Sequence, residues 1–242
     1  MAGSTGSNPL NLLAFDTSTE AMSVAVQRSG GSHEPIQHDG VGGSHASTAL
    51  IPAIQDLLGR AGLRLGQLDA IVFGRGPGSF TGLRTACSVA QGLAFGADVP
   101  VLAVDTLMAV AEEARHREGA TRVVAVLDAR MDEVYCAAYA YAAGVWQQQG
   151  EFSVGAPEAV AVPAGWVLAG NAFAAYPGRL PAAAAPIEAL PTAAALLRLA
   201  PALIAAGQAA AAARALPLYI RDKVAQTTEE RAALRAAMST KP

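Results

Sequence analysis

One pattern occurs twice along this chain and constrains the fold more than any other feature. An apolar run ends in an aspartate, a polar turn follows, and another apolar strand begins six positions later. In the first copy the turn opens at Asp16 and the strand restarts at Met22; in the second, Asp128 precedes Val134. Short apolar runs bounded by turn residues are typical of buried strands. The sequence therefore predicts two hairpins with acidic turns, one in each half of the chain.

Strands and helices alternate after each hairpin. Apolar periodicity predicts helices over 44–60, 80–95, 106–117 and 192–206, and further strands over 36–39, 68–73, 99–104, 146–154 and 166–169. Such alternation is typical of a mostly parallel sheet, to which the hairpins add antiparallel strands.

The predicted fold class is therefore α/β, with two similar lobes in tandem and a cleft between them. We place lobe I at 10–107 and lobe II, with the C-terminal tail, at 108–242. Residues 1–9 are rich in glycine and serine and are predicted to be a disordered leader.

Composition excludes several classes of protein. Hydrophobic residues make up 52% of the chain and charged residues 15%, which is enough apolar surface for a large core. The 17 basic and 20 acidic residues give a net charge of −3, without the basic excess of a protein that grips nucleic acid by its phosphates. The longest apolar stretch, 193–216, is broken by Arg198 and Pro201, so no membrane span is expected. Two cysteines and no signal peptide predict a cytoplasmic protein.

The segment Gly76-Pro77-Gly78-Ser79-Phe80-Thr81-Gly82-Leu83-Arg84 is a candidate anion site. Glycines permit close backbone approach, and the first N–H groups of the following helix are free to bind an anion. The alternative is a plain strand-to-helix turn with Ser79 or Thr81 as N-cap. No lysine follows the glycines, so the segment is not a nucleotide-binding P-loop.

The first acidic turn offers a second candidate. Asp16, Thr17 and Ser18 have the side chains to hold a phosphate, with Asp16 reaching Mg²⁺ through water. The alternative is a turn stabilised by its own side chains.

The sequence shows neither a metal-binding cluster nor a set of residues for nucleophilic catalysis. No two histidines are four positions apart and no cysteine lies near one, so no metal site is predicted; the histidines are His33, His38, His45 and His116. No Ser/His/Asp or Cys/His set is visible, so no protease activity is expected.

Two helix faces carry apolar residues at helical spacing: Leu50, Ile54 and Leu57 on the first, and Phe80, Leu83, Ala86 and Ala90 on the second. Such faces normally form core. The i, i+4 alanines could also let a partner helix approach closely, so both readings stay open.

Five stretches, in order, resemble the TsaB family of bacterial tRNA threonylcarbamoyladenosine biosynthesis proteins. This family is glycoprotease-like and belongs to the actin/hexokinase/Hsp70 superfamily. The stretches are Leu13 to Glu20, His45 with Leu50-Ile51-Pro52, Gly76 to Arg84, Val126 to Tyr135, and Pro217 to Arg221. The resemblance implies two actin/hexokinase-like (ribonuclease H-like) lobes.

The resemblance also implies a role. Members are viewed as non-catalytic scaffolds that activate TsaD, the transferase subunit, which the ATPase TsaE joins, with tRNA bound through the complex. The helices of lobe I are expected to bind TsaD, or a second copy when the chain is alone, through His45, Leu50, Ile54, Leu57, Phe80, Leu83, Ala86 and Ala90.

No intrinsic protease or ATPase activity is expected. A TsaD-like catalyst carries a histidine pair at helical spacing, whereas here His45 is followed by Ala49. This chain alone needs no cofactor; ATP or ADP with Mg is expected in the complex, and a nucleotide or phosphate on this chain would lie at Asp16, Thr17, Ser18, Gly76 and Gly78. The alternative is an autonomous ATP-dependent enzyme that holds Mg²⁺–ATP at Asp16 or Asp128.

Overall fold

The computed structural model describes residues 10–30, 34–181 and 186–221. The leader predicted over 1–9, His33 and the end of the C-terminal tail lie outside these residues. Within them, no helix is both long and apolar enough to cross a membrane.

The first sheet has the strand order β3-β2-β1-β4-β5. The strands are β1 (Leu12–Asp16), β2 (Ala21–Gln27), β3 (Ile36–Val41), β4 (Ala70–Gly76) and β5 (Val101–Asp105). Strand β1 pairs antiparallel with β2 and parallel with β4. Every residue of β1 is buried because helices cover both faces of the sheet, which explains its uninterrupted apolar run.

The second sheet repeats the first, with the order β10-β9-β6-β7-β8. Its strands are β6 (Arg122–Arg130), β7 (Glu133–Ala142), β8 (Val145–Gly155), β9 (Val167–Gly170) and β10 (Ile187–Glu188). Strand β6 takes the place of β1, paired antiparallel with β7 and parallel with β9. Two α/β lobes with the same mixed sheet confirm the predicted fold class. The short β10 was not predicted.

Five α-helices flank the sheets in the described residues: α1 (Ala46–Ala61), α2 (Phe80–Ala97), α3 (Thr106–Glu118), α4 (Ala172–Ala175) and α5 (Ala193–Ala205). Helices α1 and α2 cover one face of the first sheet and share a core with Leu13 and Phe15. Helix α5 covers the opposite face, against Leu12 and Ala14. Helix α3 contributes to the core of the second sheet.

The predicted assignment of the whole segment after residue 107 to lobe II is wrong for α5 and for residues 206–215. Ala193 N donates to Ser23 Oγ at 2.9 Å, and Ala210 forms an antiparallel bridge with Val101. Alanines on α5 meet Ala14 and Ala25 of the sheet. Small residues on both surfaces let the helix and sheet approach closely. Residues 193–215 therefore complete the first lobe.

Six of the predicted partner residues are core residues, so their assignment to a partner surface is wrong. The side chains of Leu50, Ile54, Leu57, Leu83, Ala86 and Ala90 are at most 1% exposed. All of them except Leu83 lie in the core that α1 and α2 share with the first sheet. Burying each large apolar side chain is worth about 1.5–3 kcal/mol, so the lobe itself uses this face. A charge at position 50 or 90 would unfold the lobe and would not test a surface.

A buried acidic side chain joins α3 to its neighbours. Glu112 accepts hydrogen bonds from Arg115 and Arg198 at 2.9 Å, and from Trp146 Nε1 at 2.9 Å. Burial raises the pKa of Glu112, but the hydrogen bonds from Arg115 and Trp146 and the charge of Arg115 outweigh it and leave the pKa below its ordinary value. This network ties α3, α5 and β8 together.

Candidate functional site

A cavity of about 450 Å³ lies between the two lobes. It is lined by the turns of both acidic hairpins, the glycine-rich segment and the extended C-terminal segment 216–221. Apolar and charged side chains share its walls, including Phe80, Leu127, Tyr135, Ile220, Glu20, Asp128, Arg130 and Arg221. The cleft predicted between the lobes is therefore present, and it is where the two halves of the repeat face each other.

The first acidic turn is buried and stabilised by its own side chains. Asp16 Oδ1 accepts hydrogen bonds from Ser18 N at 2.8 Å and Ser18 Oγ at 2.5 Å. Thr106 Oγ1 donates to Asp16 Oδ2 at 3.4 Å, and Thr17 Oγ1 donates to the carbonyl of Gly82 at 2.8 Å. Burial raises the pKa of Asp16 to about 6, against the opposing effect of these hydrogen bonds.

Gly78 and Gly82 are packed against that turn. An added Cβ at Gly78 would lie 2.5 Å from Ser18 O, and one at Gly82 would lie 1.9 Å from Thr17 O. The N–H of Ser79 also donates to Ser18 O at 2.7 Å. The close approach that these glycines permit is therefore made by the chain's own turn.

These contacts correct part of the predicted nucleotide site. Asp16 and Thr17 are buried and do not line the cavity, so their side chains cannot hold a phosphate without breaking the contacts just described. Gly76 also lies outside the lining; an added Cβ there would sit 2.6 Å from Leu218 O. Ser18 and Gly78 do line the cavity.

The second acidic turn has more open geometry. Asp128 Oδ1 accepts hydrogen bonds from Arg130 N and Tyr176 Oη, both at 2.8 Å. Burial, together with the hydrogen bond to Asp128, raises the pKa of Tyr176 to about 12. Arg130, Met131 and Asp132 have φ angles of 60°, 57° and 61°. This is the left-handed backbone conformation, which residues other than glycine rarely adopt. This strained turn forms one lip of the cavity.

An ion pair across the cleft connects the first acidic turn to the second. Arg130 Nη2 lies 2.5 Å from Glu20 Oε1, which joins the two acidic turns. The C-terminal segment contacts both lobes: Leu218 N donates to Arg75 O at 2.7 Å, and Arg221 pairs with Glu133.

An aromatic and arginine cluster lies at the rim of the cavity and was not predicted. The rings of Phe80 and Tyr219 have centroids 5.5 Å apart. Arg84 Cζ lies 3.8 Å from the centroid of the Phe80 ring, and its Nε donates to Tyr219 Oη at 3.1 Å. The signal was present in the two stretches 76–84 and 217–221, but they are far apart in sequence and nothing local shows that they meet.

Two other predictions concern single residues and metals. His45 is exposed immediately before α1, beside the half-buried Ala49. In the part of the chain that the structure describes, no three His, Cys, Asp or Glu side chains are grouped so that they could hold a metal ion.

Comparison with known proteins decides the family. A family model described as TsaD, the tRNA N6-adenosine threonylcarbamoyltransferase, matches residues 40–238. The tRNA threonylcarbamoyladenosine biosynthesis protein TsaB of Escherichia coli K12 is 37% identical over 231 residues, which cover 89% of this chain and 96% of that protein. The chain belongs to the TsaB family.

Other members of the TsaB family agree with this assignment. The Haemophilus influenzae protein of the same name is 48% identical over 126 residues, 52% of each chain. The structure of YeaZ from Pseudomonas aeruginosa is 44% identical and superimposes with a TM-score of 0.80, covering 87% of this chain and all of that one. The chain therefore has the actin-like, ribonuclease H-like fold of this family in both lobes.

Proposed function

We propose that this chain is a non-catalytic subunit of the cytoplasmic assembly that forms threonylcarbamoyladenosine next to the anticodon in tRNA. Its partners in this proposal are a TsaD-type transferase and a TsaE-type ATPase, and tRNA is bound by the assembly. The observation that carries the proposal is that the chain belongs to the TsaB family, whose named members are biosynthesis proteins of this modification.

The aspartates of the two acidic turns support a non-catalytic role. Asp16 is enclosed by Ser18 and Thr106, and Asp128 by Arg130 and Tyr176. A carboxylate that holds Mg²⁺ must present free oxygens to the ion. Both aspartates instead accept hydrogen bonds from other groups of the chain. The autonomous ATP-dependent enzyme is therefore the weaker alternative.

The outer faces of α1 and α2 are the surface that we propose for the TsaD partner. Both helices lie in one layer on the first sheet. Phe95 on α2 is 83% exposed and Ile51 on α1 is 43% exposed. An added Cβ at Gly92 would meet no atom within 4 Å, so another helix has room to approach. The same face would bind a second copy when the chain is alone.

Light scattering coupled to size-exclusion chromatography tests this proposal. We expect a stable complex when the chain is mixed with the TsaD-type protein of the same organism, and its loss in Phe95→Glu. The matched control is Val145→Glu, which puts the same charge at an exposed valine of lobe II. Separate elution of the wild-type proteins, or an unaffected complex with Phe95→Glu, would refute the proposed surface.

A nucleotide in the assembly remains part of the proposal. The inter-lobe cavity, with Ser18 and Gly78 in its wall, is where this chain would contact ATP or ADP. Calorimetric titration of the isolated chain with Mg²⁺–ATP checks this contact. Tight binding with turnover would revive the autonomous enzyme.

A further inference from the structure

The cluster of Phe80, Arg84 and Tyr219 has the geometry of a stacking surface. The two rings are inclined by only 35°, and the guanidinium of Arg84 lies over the ring of Phe80. The hydrogen bond from Arg84 to the Tyr219 hydroxyl holds these two side chains in place relative to each other. Phe80 opens the long helix α2, and Leu218, next to Tyr219, is bonded to β4. The surface is therefore formed before any ligand arrives.

Much of this surface faces solvent. Phe80 is 38% exposed and Tyr219 is 45% exposed, and both also line the mouth of the inter-lobe cavity. Large aromatic side chains gain free energy when a flat partner covers them. An exposed aromatic pair fixed in place by its own chain is thus a binding surface whose occupant has to be identified by its chemistry.

The charge of the cluster favours a nucleic acid over an apolar protein side chain. Among the described residues, no carboxylate forms an ion pair with Arg84, whose contacts are the Phe80 ring and the Tyr219 hydroxyl. A cation beside exposed rings suits a base that carries a phosphate. Unpaired RNA bases are recognised by stacking on aromatic rings and on arginine planes.

We propose that Phe80, Arg84 and Tyr219 form a platform on which an unpaired base of the tRNA stacks at the rim of the cleft. This inference rests on the proposed function, since it names a direct RNA contact for a subunit of a tRNA-modifying assembly. Arg84 is the one cation of this three-residue cluster, so phosphate contacts there contribute little and stacking provides most of the binding. Binding should therefore depend only weakly on salt.

The test uses the full chain and a single-stranded RNA hexamer that carries the fluorescent base 2-aminopurine. Stacking quenches this base, so fluorescence reports the contact directly. We expect Phe80→Leu and Tyr219→Leu each to weaken binding about tenfold, within the range known for loss of one base–aromatic stack. Phe152→Leu is the matched control, because it makes the same change at a partly exposed phenylalanine of β8, outside the cavity lining and outside the proposed partner face. Thermal unfolding confirms that each variant is folded.

Several outcomes would overturn the platform. It fails if the wild-type chain does not quench the probe, if the leucine variants bind like the wild type, or if an abasic hexamer binds equally well. Equal affinity for AMP and for RNA would show a nucleotide site, and loss of the TsaD complex in the leucine variants would show a protein contact. If the wild-type chain binds the TsaD-type protein but the platform variants bind RNA like the wild type, only the platform is refuted. Absence of that complex refutes the proposed function.

Discussion

Gly74 leaves open the space that the carboxylate of Asp16 occupies: a Cβ at position 74 would lie 1.7 Å from Asp16 Oδ2. Strand β4 therefore lies against the first acidic turn with no room for a side chain. Gly78 and Gly82, two glycines of the predicted anion site, likewise bring two parts of one lobe together.

Substitution of Gly74 should therefore destabilise the protein. We expect Gly74→Ala to lower the free energy of unfolding by about 1–3 kcal/mol or more, because the methyl group displaces a buried, hydrogen-bonded carboxylate. Urea denaturation measures the change. Gly92→Ala is the control: its Cβ meets no atom within 4 Å, and alanine in a helix should add about 0.5–1 kcal/mol. Equal stability of the two variants would contradict the packing described.

The raised pKa of Asp16 predicts a pH dependence. In the folded protein its pKa is about 6, above the ordinary value of 3.8, so the unfolded chain loses this proton first as the pH rises. The contribution of Asp16 to stability is complete below about pH 4 and is lost as the pH rises to about 6, by up to roughly 3 kcal/mol. Denaturation of the wild type and of Asp16→Asn between pH 4 and 8 isolates this term. Parallel profiles would show that Asp16 titrates normally.

The buried Glu112 should behave in the opposite way. Its folded pKa is lowered, so its stabilising contribution is present above its unfolded pKa and is lost as the pH falls through the folded pKa. We expect Glu112→Gln to cost about 1–3 kcal/mol, because Arg115 loses its ion-pair partner while Arg198 keeps its contact with Glu113 at 2.6 Å. Fluorescence of Trp146, which donates to Glu112, should change as well. Glu151→Gln, at a solvent-exposed position on β8, serves as the control.

The contact between Arg221 and Glu133 should hold the C-terminal segment across the cleft. Both side chains are partly exposed, so a double-mutant cycle of Arg221→Ala and Glu133→Ala should give a coupling of only about 0.5–1 kcal/mol. The local effect should be larger: the amide of Leu218, bonded to Arg75 O, should exchange faster with solvent in Arg221→Ala. Unchanged exchange there, with a coupling near zero, would mean that the ion pair between Arg221 and Glu133 does not hold the segment.

The sequence by itself determined the repeated architecture and most of the elements. Strands β1 and β6 are recognisable in the sequence because strands buried on both faces need continuous apolar residues. Asp16 and Asp128 mark the turn that follows the apolar run of each strand. The helical spacing of Leu50, Ile54 and Leu57 also identified a buried face, because apolar periodicity records which side of a helix is covered.

Apolar periodicity does not show what covers the buried face of a helix. Only the tertiary structure identified what covers the apolar face of α1. The same apolar face can meet its own sheet or a partner, and only the packing of α1 showed that the sheet takes it. An alanine-rich helix fits almost any surface, so nothing local placed α5 on the first sheet. Glycine permits close approach without naming the neighbour, which proved to be the Asp16 turn.

The rim cluster shows the same limit at the site. Arg84 and Tyr219 are 135 positions apart, and their hydrogen bond exists because the C-terminal segment returns across the cleft to the start of α2. Local pattern fixes which residues are buried or turned, since those properties depend on near neighbours in the chain. Which distant side chains meet depends on how whole lobes pack, and only the folded structure contains that information.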